Sequence, residues 1–165
     1  MNILVGAHGV GKTTLLKRLK EVNPEIYITD GFSRPLLKCK QKLNMTGYVF
    51  QSTLNEITYW YSIEHLKDNN IYITRSMLDA FVYSRYFNFN DLAEESLRRL
   101  EEQMEFHQYF YIPIEFQVEE DENRSASTEY QEVIDYMMKG FLDRNQIKYT
   151  TLTGSVEDRI KLINN

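Results

Sequence analysis

Eight residues near the start of the chain, Gly6-Ala7-His8-Gly9-Val10-Gly11-Lys12-Thr13, satisfy the spacing Gly-x-x-x-x-Gly-Lys-[Ser/Thr]. A short apolar run, Asn2 to Val5, precedes them, and Thr14 to Val22 follows with Leu15, Leu16 and Leu19 on one helical face. Strand, glycine-rich loop and helix in that order is the context in which this spacing holds phosphate. The glycines let the backbone curl so that successive N–H groups point inward, and the helix N-terminus adds the positive end of its dipole. Gly6, His8, Gly9, Val10, Gly11, Lys12, Thr13 and Thr14 are therefore the candidates for contact with a nucleotide's phosphates. Lys12 has the reach to bridge the β- and γ-phosphates, and the Thr13 hydroxyl is the candidate ligand for Mg²⁺. His8 stands at a variable position of the pattern, where it either touches phosphate or fills space.

The remaining chain alternates strand and helix. Ile26 to Thr29 reads as a second strand that stops at Asp30-Gly31. Residues 47 to 67 carry apolar side chains at Phe50, Leu54, Ile57 and Tyr61, which predicts a long helix broken by Asp68-Asn69-Asn70. Ile71 to Ile73 is a third strand and Met77 to Tyr86 a helix. Asp91 is placed to cap a charged helix to about Phe106, with Leu92, Leu97, Leu100 and Met104 on its buried side. Tyr109 to Ile112 is a fourth strand, residues up to Arg144 a helix after a polar acidic stretch, Lys148 to Leu152 a fifth strand, and a short helix closes the chain. Such alternation implies a parallel sheet covered on both faces. At 165 residues the expectation is one domain over 1–165.

Composition narrows the partners. A net charge of −5 and a pI near 5.3 argue against an extended footprint on duplex nucleic acid, which needs many lysines and arginines. Cys39 is the single cysteine, so neither an internal disulfide nor a cysteine-rich zinc site can form. No apolar run approaches the roughly 20 residues of a membrane span, and the first residues lead into a strand, so a cytoplasmic protein is expected.

Beyond the loop, the chain resembles the P-loop nucleoside and nucleotide kinases over nearly its whole length. It is most similar to the short AAA-type, kinase-like ATP-binding domains related to ribosylnicotinamide kinase and thymidylate kinase that are common in phages and bacteria. In these families an acidic residue after the second strand, followed closely by arginine, meets the phosphate acceptor; Asp30-Gly31-Phe32-Ser33-Arg34 looks like that segment. Asp30 would orient or deprotonate the attacking hydroxyl. Phe50-Gln51 resembles the start of the family's long helix, where a glutamine and nearby aromatics hold the acceptor's base; a polar residue on a wet helix face is the other reading of Gln51. Tyr59, Trp60 and Phe81 either stack on that base or pack in the core.

Ile71-Tyr72-Ile73-Thr74-Arg75-Ser76-Met77-Leu78-Asp79 is similar to the family's strand ending in Asp-Arg-Ser with a further Asp in the next helix. Here Thr74 replaces the first aspartate, whose charge helps retain Mg²⁺, so either Asp79 or Asp30 compensates or turnover is weak. Arg75 fits a clamp on the acceptor or on the transferring phosphoryl group. Asp121-Glu122-Asn123-Arg124 resembles the mobile lid, at about 113–128, with Arg124 closing over the phosphates. Thr153-Gly154-Ser155 and Arg159 look like the segment that surrounds adenine, although Ser155 would equally cap a terminal helix.

The resemblance thus implies a three-layer α/β P-loop NTPase fold with a five-stranded parallel sheet ordered 2-3-1-4-5 and helices on both faces. It implies an ATP- and Mg²⁺-dependent phosphotransferase. The γ-phosphoryl group would go to a nucleoside or nucleoside monophosphate in nucleotide metabolism. Catalysis would fall to Lys12, Asp30, Arg75 and Arg124, and acceptor binding to Asp30, Arg34, Gln51, Arg75 and Asp79. Two alternatives stay open: a kinase acting on a modified base or hydroxyl of a nucleic acid strand, and a nucleotide-binding regulatory or assembly module without strong turnover. A homodimer is compatible with all three.

Overall fold

Asn2–Val5 is buried along its whole length because it is the central strand, β1, of a five-stranded sheet. The computed structural model describes residues 1–115 and 128–164. After β1 come α1 (Lys12–Val22), β2 (Tyr27–Thr29), α2 (Ser33–Leu43), α3 (Gly47–Glu64), β3 (Ile71–Ile73), α4 (Met77–Tyr86), α5 (Asn90–Glu101), a 3₁₀ turn (Met104–Phe106) and β4 (Gln108–Tyr111). Then follow α6 (Thr128–Arg144), β5 (Tyr149–Thr151) and α7 (Val156–Ile163). The strands are parallel and ordered β2-β3-β1-β4-β5, as the sequence implied.

Parallel strands need crossovers, and the helices that make them cover both faces of the sheet. Consequently the central strands read as continuous apolar runs rather than alternating ones: Ile3, Leu4, Val5, Tyr109, Phe110 and Tyr111 are all buried. Leu15, Leu16 and Leu19 of α1 pack into the same core, as their helical spacing predicts. Every strand points its carboxyl end at the same edge of the sheet, where crossovers of one hand leave a crevice.

Three local readings change. The stretch 33–43, to which periodicity assigned no element, is helix α2; Leu36, Leu37 and Leu43 fall on one side of it, but none of its side chains is buried. Pro35 is tolerated in its first turn, and Asn44 in the left-handed region (φ 49°) ends it. The helix expected from Asp91 to Phe106 instead ends at Glu101 and gives way to the 3₁₀ turn. Asp91 does not cap it, because the helix begins at Asn90 and Asp91 lies within its first turn, where its carboxylate accepts from the Tyr48 hydroxyl. Its inward face is Leu92, Ala93, Ser96 and Leu100, with Leu97 and Met104 only half-buried.

Just before β4, His107 lies edge-on to Tyr109, and burial drags its pKa from 6.5 down to about 4. The unfolded chain therefore takes up a proton near pH 6.5 that the fold refuses until about pH 4, so this residue subtracts stability as pH falls through that window. Thermal unfolding of the parent and of His107→Gln should show the parent losing Tm faster between pH 7 and pH 5. Parallel curves would mean that His107 titrates normally in the fold.

Candidate active site

The loop after β1 is shaped by close approach. Gly6 has φ 150°, and a Cβ there would lie 2.5 Å from the carbonyl oxygen of Ile112, which leaves β4 beside it. At the other end Gly11, φ 92°, lets Lys12 begin α1 directly. Lys12 Nζ donates to the carbonyls of Gly6 (2.5 Å) and Ala7 (2.7 Å), which holds the ammonium over the start of the loop. Thr13 and Thr14 occupy the first turn of α1 and line the cleft above it.

Two later elements brace this loop. From α6, Gln131 Nε2 donates to the His8 carbonyl (2.9 Å), and the Tyr130 ring lies 4.8 Å from the His8 imidazole. Burial pushes the Tyr130 phenol up to about 12, so it stays protonated at neutral pH. From α7, Arg159 is 3% exposed and donates Nη1 to the Val10 carbonyl (3.0 Å) and Nη2 to Glu115 Oε2 (2.6 Å). The Glu115 carboxylate also accepts from Gly154 N at 3.0 and 3.1 Å, and the Arg159 guanidinium holds its pKa below the usual carboxylate range. Arg159, expected beside adenine, thus spends its edge on bracing the loop, while the residue still lines the cleft with Gly154, Ser155 and Val156. Ser155 does cap α7, accepting from Asp158 N at 3.2 Å.

The opposite wall comes from β2, β3, α2 and α4. Asp30 Oδ1 accepts from the Thr13 hydroxyl (2.6 Å) and from the Thr74 hydroxyl (3.2 Å), so the threonine at the family's aspartate position sits directly against another carboxylate. Arg34 Nη1 lies 3.4 Å from Asp30 Oδ2, an exposed pair of little energetic weight. Gly31, at φ 68°, passes so close to Arg75 that a Cβ would stand 2.8 Å from Arg75 Cβ. The Arg75 guanidinium lies 5.0 Å from the Tyr83 ring centroid, with Nε and Nη2 buried and without a partner among the described residues. Asp79 is 3% exposed and its Oδ2 accepts from Ser76 N (2.9 Å) and Ser76 Oγ (3.0 Å), which fixes the turn into α4. Gln51 is buried, with Nε2 donated to Asn55 Oδ1 at 2.7 Å.

His8, Lys12, Thr13, Thr14, Asp30, Arg34, Gln51, Thr74, Arg75, Asp79, Tyr83, Tyr130 and Arg159 line one cleft of about 930 Å³, large enough for a nucleotide and a second small molecule, whereas Gly6, Val10, Gly31, Glu115 and Gln131 stand outside its lining. Its charged lining is Lys12, Lys17, Arg34, Lys40, Arg75 and Arg159 against Asp30 and Asp79, a cationic cavity in an acidic chain. The aromatic lining is Phe50, Tyr83, Phe87, Phe89 and Tyr130. Of the aromatics raised from sequence, Trp60 is 63% exposed, Tyr59 lies under Arg99 (4.2 Å), and Phe81 packs on Phe141 (5.3 Å); none lines the cleft. Arg124 and the acidic stretch around it lie outside the described residues. Glu115, Tyr130, Gln131 and Asn55 went unnoticed in the sequence, because each acts on a partner far away in the chain.

The sequence profile described as an AAA domain matches residues 2–159. No curated protein matches the sequence. Among solved structures, the chain is similar to deoxyadenosine kinase from M. mycoides with dCMP and dCDP bound, at 16% identity and a TM-score of 0.68, over 100% of this chain and 97% of that one. It is similar to YorR from Bacillus subtilis in complex with phosphorylated GDP, at 19% identity and a TM-score of 0.65, over 99% and 92%. NadR in complex with NAD and AMP-PNP gives 11% identity and a TM-score of 0.70, over 99% of this chain but 48% of that one, so the chain spans about half of NadR. At these identities the likeness establishes the fold. Among the described residues no helix is long and apolar enough to cross a membrane.

The tight passage of Gly31 under Arg75 makes a measurable demand. Gly31→Ala places a Cβ at positive φ against Arg75 and is expected to cost about 1–3 kcal/mol in urea unfolding. A variant as stable as the parent would mean that the two strands' ends can move apart freely.

Proposed function

Because this chain belongs to the AAA domain family, whose glycine-rich loop binds nucleotides, we propose that it transfers the γ-phosphoryl group of Mg²⁺·ATP to a nucleoside or nucleoside monophosphate. The observation that carries this reading is Arg75: a half-buried side chain whose Nε and Nη2 are buried with no partner among the described residues, held on Tyr83 and lining the same cleft as the phosphate loop and Asp30. A buried unsatisfied donor is costly, and a charged one more so. An anionic ligand in the cleft repays that cost.

Phosphoryl transfer asks mainly for positioning and charge stabilisation. The loop N–H groups and Lys12 hold the phosphate chain. Asp30, beside the loop, accepts a hydrogen bond from the attacking hydroxyl and aligns it. Arg75 meets the negative charge that spreads over the transferring group, where a preorganised donor acts most strongly. Asp79 keeps Ser76 and the start of α4 in register behind Arg75. The residues also suit Mg²⁺: Thr13 and Asp30 bring a hydroxyl and a carboxylate together at 2.6 Å, hard oxygen donors of the kind that share the ion with phosphates and water. When bound, the ion supplies positive charge to the phosphates. Asp30 thereby stands in for the carboxylate that Thr74 cannot provide.

The similar structures hold ligands of that class: deoxynucleotides, AMP-PNP and phosphorylated GDP. Lys17, Arg34 and Lys40 at the cleft favour an acceptor that already carries phosphate. That feature also favours the second reading, in which the acceptor is part of a nucleic acid strand.

ADP release from Mg²⁺·ATP, followed with nucleosides, their 5′-monophosphates and short oligonucleotides, separates these readings. One class should stimulate turnover, and Lys12→Ala should abolish it. Arg75→Ala should lower kcat by about 10²-fold with little loss of ATP affinity. Tight ATP binding without transfer to any member of the panel would instead identify a nucleotide-responsive module. A further outcome concerns the brace: Glu115→Ala, which frees Arg159, should weaken ADP binding several-fold in calorimetry, and unchanged affinity would show that Arg159 holds Val10 unaided.

A further inference from the structure

Helix α2 carries more net charge than phosphoryl transfer in the cleft can use. Arg34, Lys38, Lys40 and Lys42 give it four positive charges and no negative one, in a chain whose net charge is −5. Other helices pair cations with acids about a turn away: Arg18 with Glu21 in α1, Arg98 with Glu102 at the end of α5, Lys139 with Asp143 in α6 and Lys161 with Asp158 in α7. No acid in α2 does this. Arg34 reaches Asp30 at 3.4 Å, and Lys38, Lys40 and Lys42 form no ion pair among the described residues. The helix dipole favours Lys40 and Lys42 in the last turn but opposes Arg34 in the first. Residues four apart are neighbours on a helix, so Lys38 is repelled by both Arg34 and Lys42, and no fully buried side chain of α2 offsets the repulsion. An anion laid along these charges removes it.

The charges are also ordered in space. Arg34 and Lys40 line the cleft, with the Lys40 ammonium 5.2 Å from the Phe50 ring centroid. Lys38 and Lys42 stand outside the lining and are exposed. Steps of four residues set Arg34, Lys38 and Lys42 along one ridge, about 6 Å apart along the helix axis. The ridge therefore starts at the cleft, beside Asp30, and runs out over the surface. A free nucleoside monophosphate held in the cleft leaves Lys38 and Lys42 unused, whereas a ligand with phosphates in series engages all three. We infer that α2 is a binding surface for single-stranded nucleic acid, whose backbone phosphates follow Arg34, Lys38 and Lys42 while its terminal nucleotide enters the cleft beside Phe50. A cationic track leading to an aromatic stacking platform is how proteins hold single strands without reading their sequence. An acidic peptide would use the ridge and leave the aromatic cleft empty, and a duplex keeps its bases paired and out of the cleft.

Entry of the terminal nucleotide rests on the acceptor reading above; the ridge does not, and equilibrium binding tests it apart from turnover. With the phosphate loop saturated by ADP, calorimetry on the full chain compares oligodeoxyadenylates and oligothymidylates of one, two, four and six nucleotides. In at least one series the tetramer should bind the parent about tenfold or more tighter than the mononucleotide does, a gain of at least 1.4 kcal/mol. Lys38→Ala/Lys42→Ala keeps good helix formers in α2 and alters no residue of the cleft lining. It should abolish that gain and lower the slope of log affinity against log salt by about 1.4, the share of two phosphates on a single strand. Affinity for ADP and for the mononucleotide should stay unchanged, and Lys38→Arg/Lys42→Arg should keep the parent's gain. A tetramer that binds no tighter than the mononucleotide, an alanine variant that keeps the gain, or inorganic tetraphosphate that matches the tetramer would overturn the inference and leave the kinase reading intact. Length-dependent binding with no turnover on any acceptor would support the ridge and overturn the kinase reading.

Discussion

Parallel pairing of β1 between β3 and β4 is the constraint on which the site depends. The pairing sets the ends of the strands level, so Gly6 leaves β1 against Ile112 and Thr74 leaves β3 within reach of Asp30 beyond β2. Every group proposed to handle phosphate hangs from one of these strand ends or from the helix that follows it. The Gly6–Ile112 approach leaves no room for a side chain, and a shift of either strand would open or crush the loop.

Around that frame the protein separates two kinds of polar group. The braces bond to the loop or to one another: Gln131 to the His8 carbonyl, Arg159 to the Val10 carbonyl and Glu115, and Glu115 to Gly154 N. They spend their hydrogen bonds on the fold and so keep the loop in one shape, the condition for electrostatic help that costs no reorganisation. Arg75 is held instead by packing on Tyr83, and its Nε and Nη2 have no partner among the described residues. An acidic chain can still hold phosphates because its cations converge on one cavity, where reduced solvent makes each charge count for more.

Much of this was legible from periodicity and spacing. β1, the loop and α1 were readable because the motif is local: strand, turn chemistry and helix lie within 22 residues. α2 was not, because its few apolar side chains, Leu36, Leu37 and Leu43, are set among lysines and none is buried, and α5 stops at Glu101, short of Phe106, where the chain passes into the 3₁₀ turn. Among the aromatics, helical phase turns Trp60 of α3 to solvent and Phe50 to the cleft, while Phe87 and Phe89 reach it from the connection between α4 and α5.

The sequence by itself determined the phosphate loop, the alternation of strand and helix, and the family, since these rest on short-range patterns and backbone chemistry. Only the tertiary structure decided that Asp30 sits against Thr13 and Thr74, that Arg75 keeps two buried nitrogens with no partner among the described residues, and that Arg159 braces the loop beside Glu115. Each of those joins side chains whose partners belong to separate elements. Their hydrogen bonds depend on distances of a few tenths of an ångström that packing sets and that spacing along a chain does not encode.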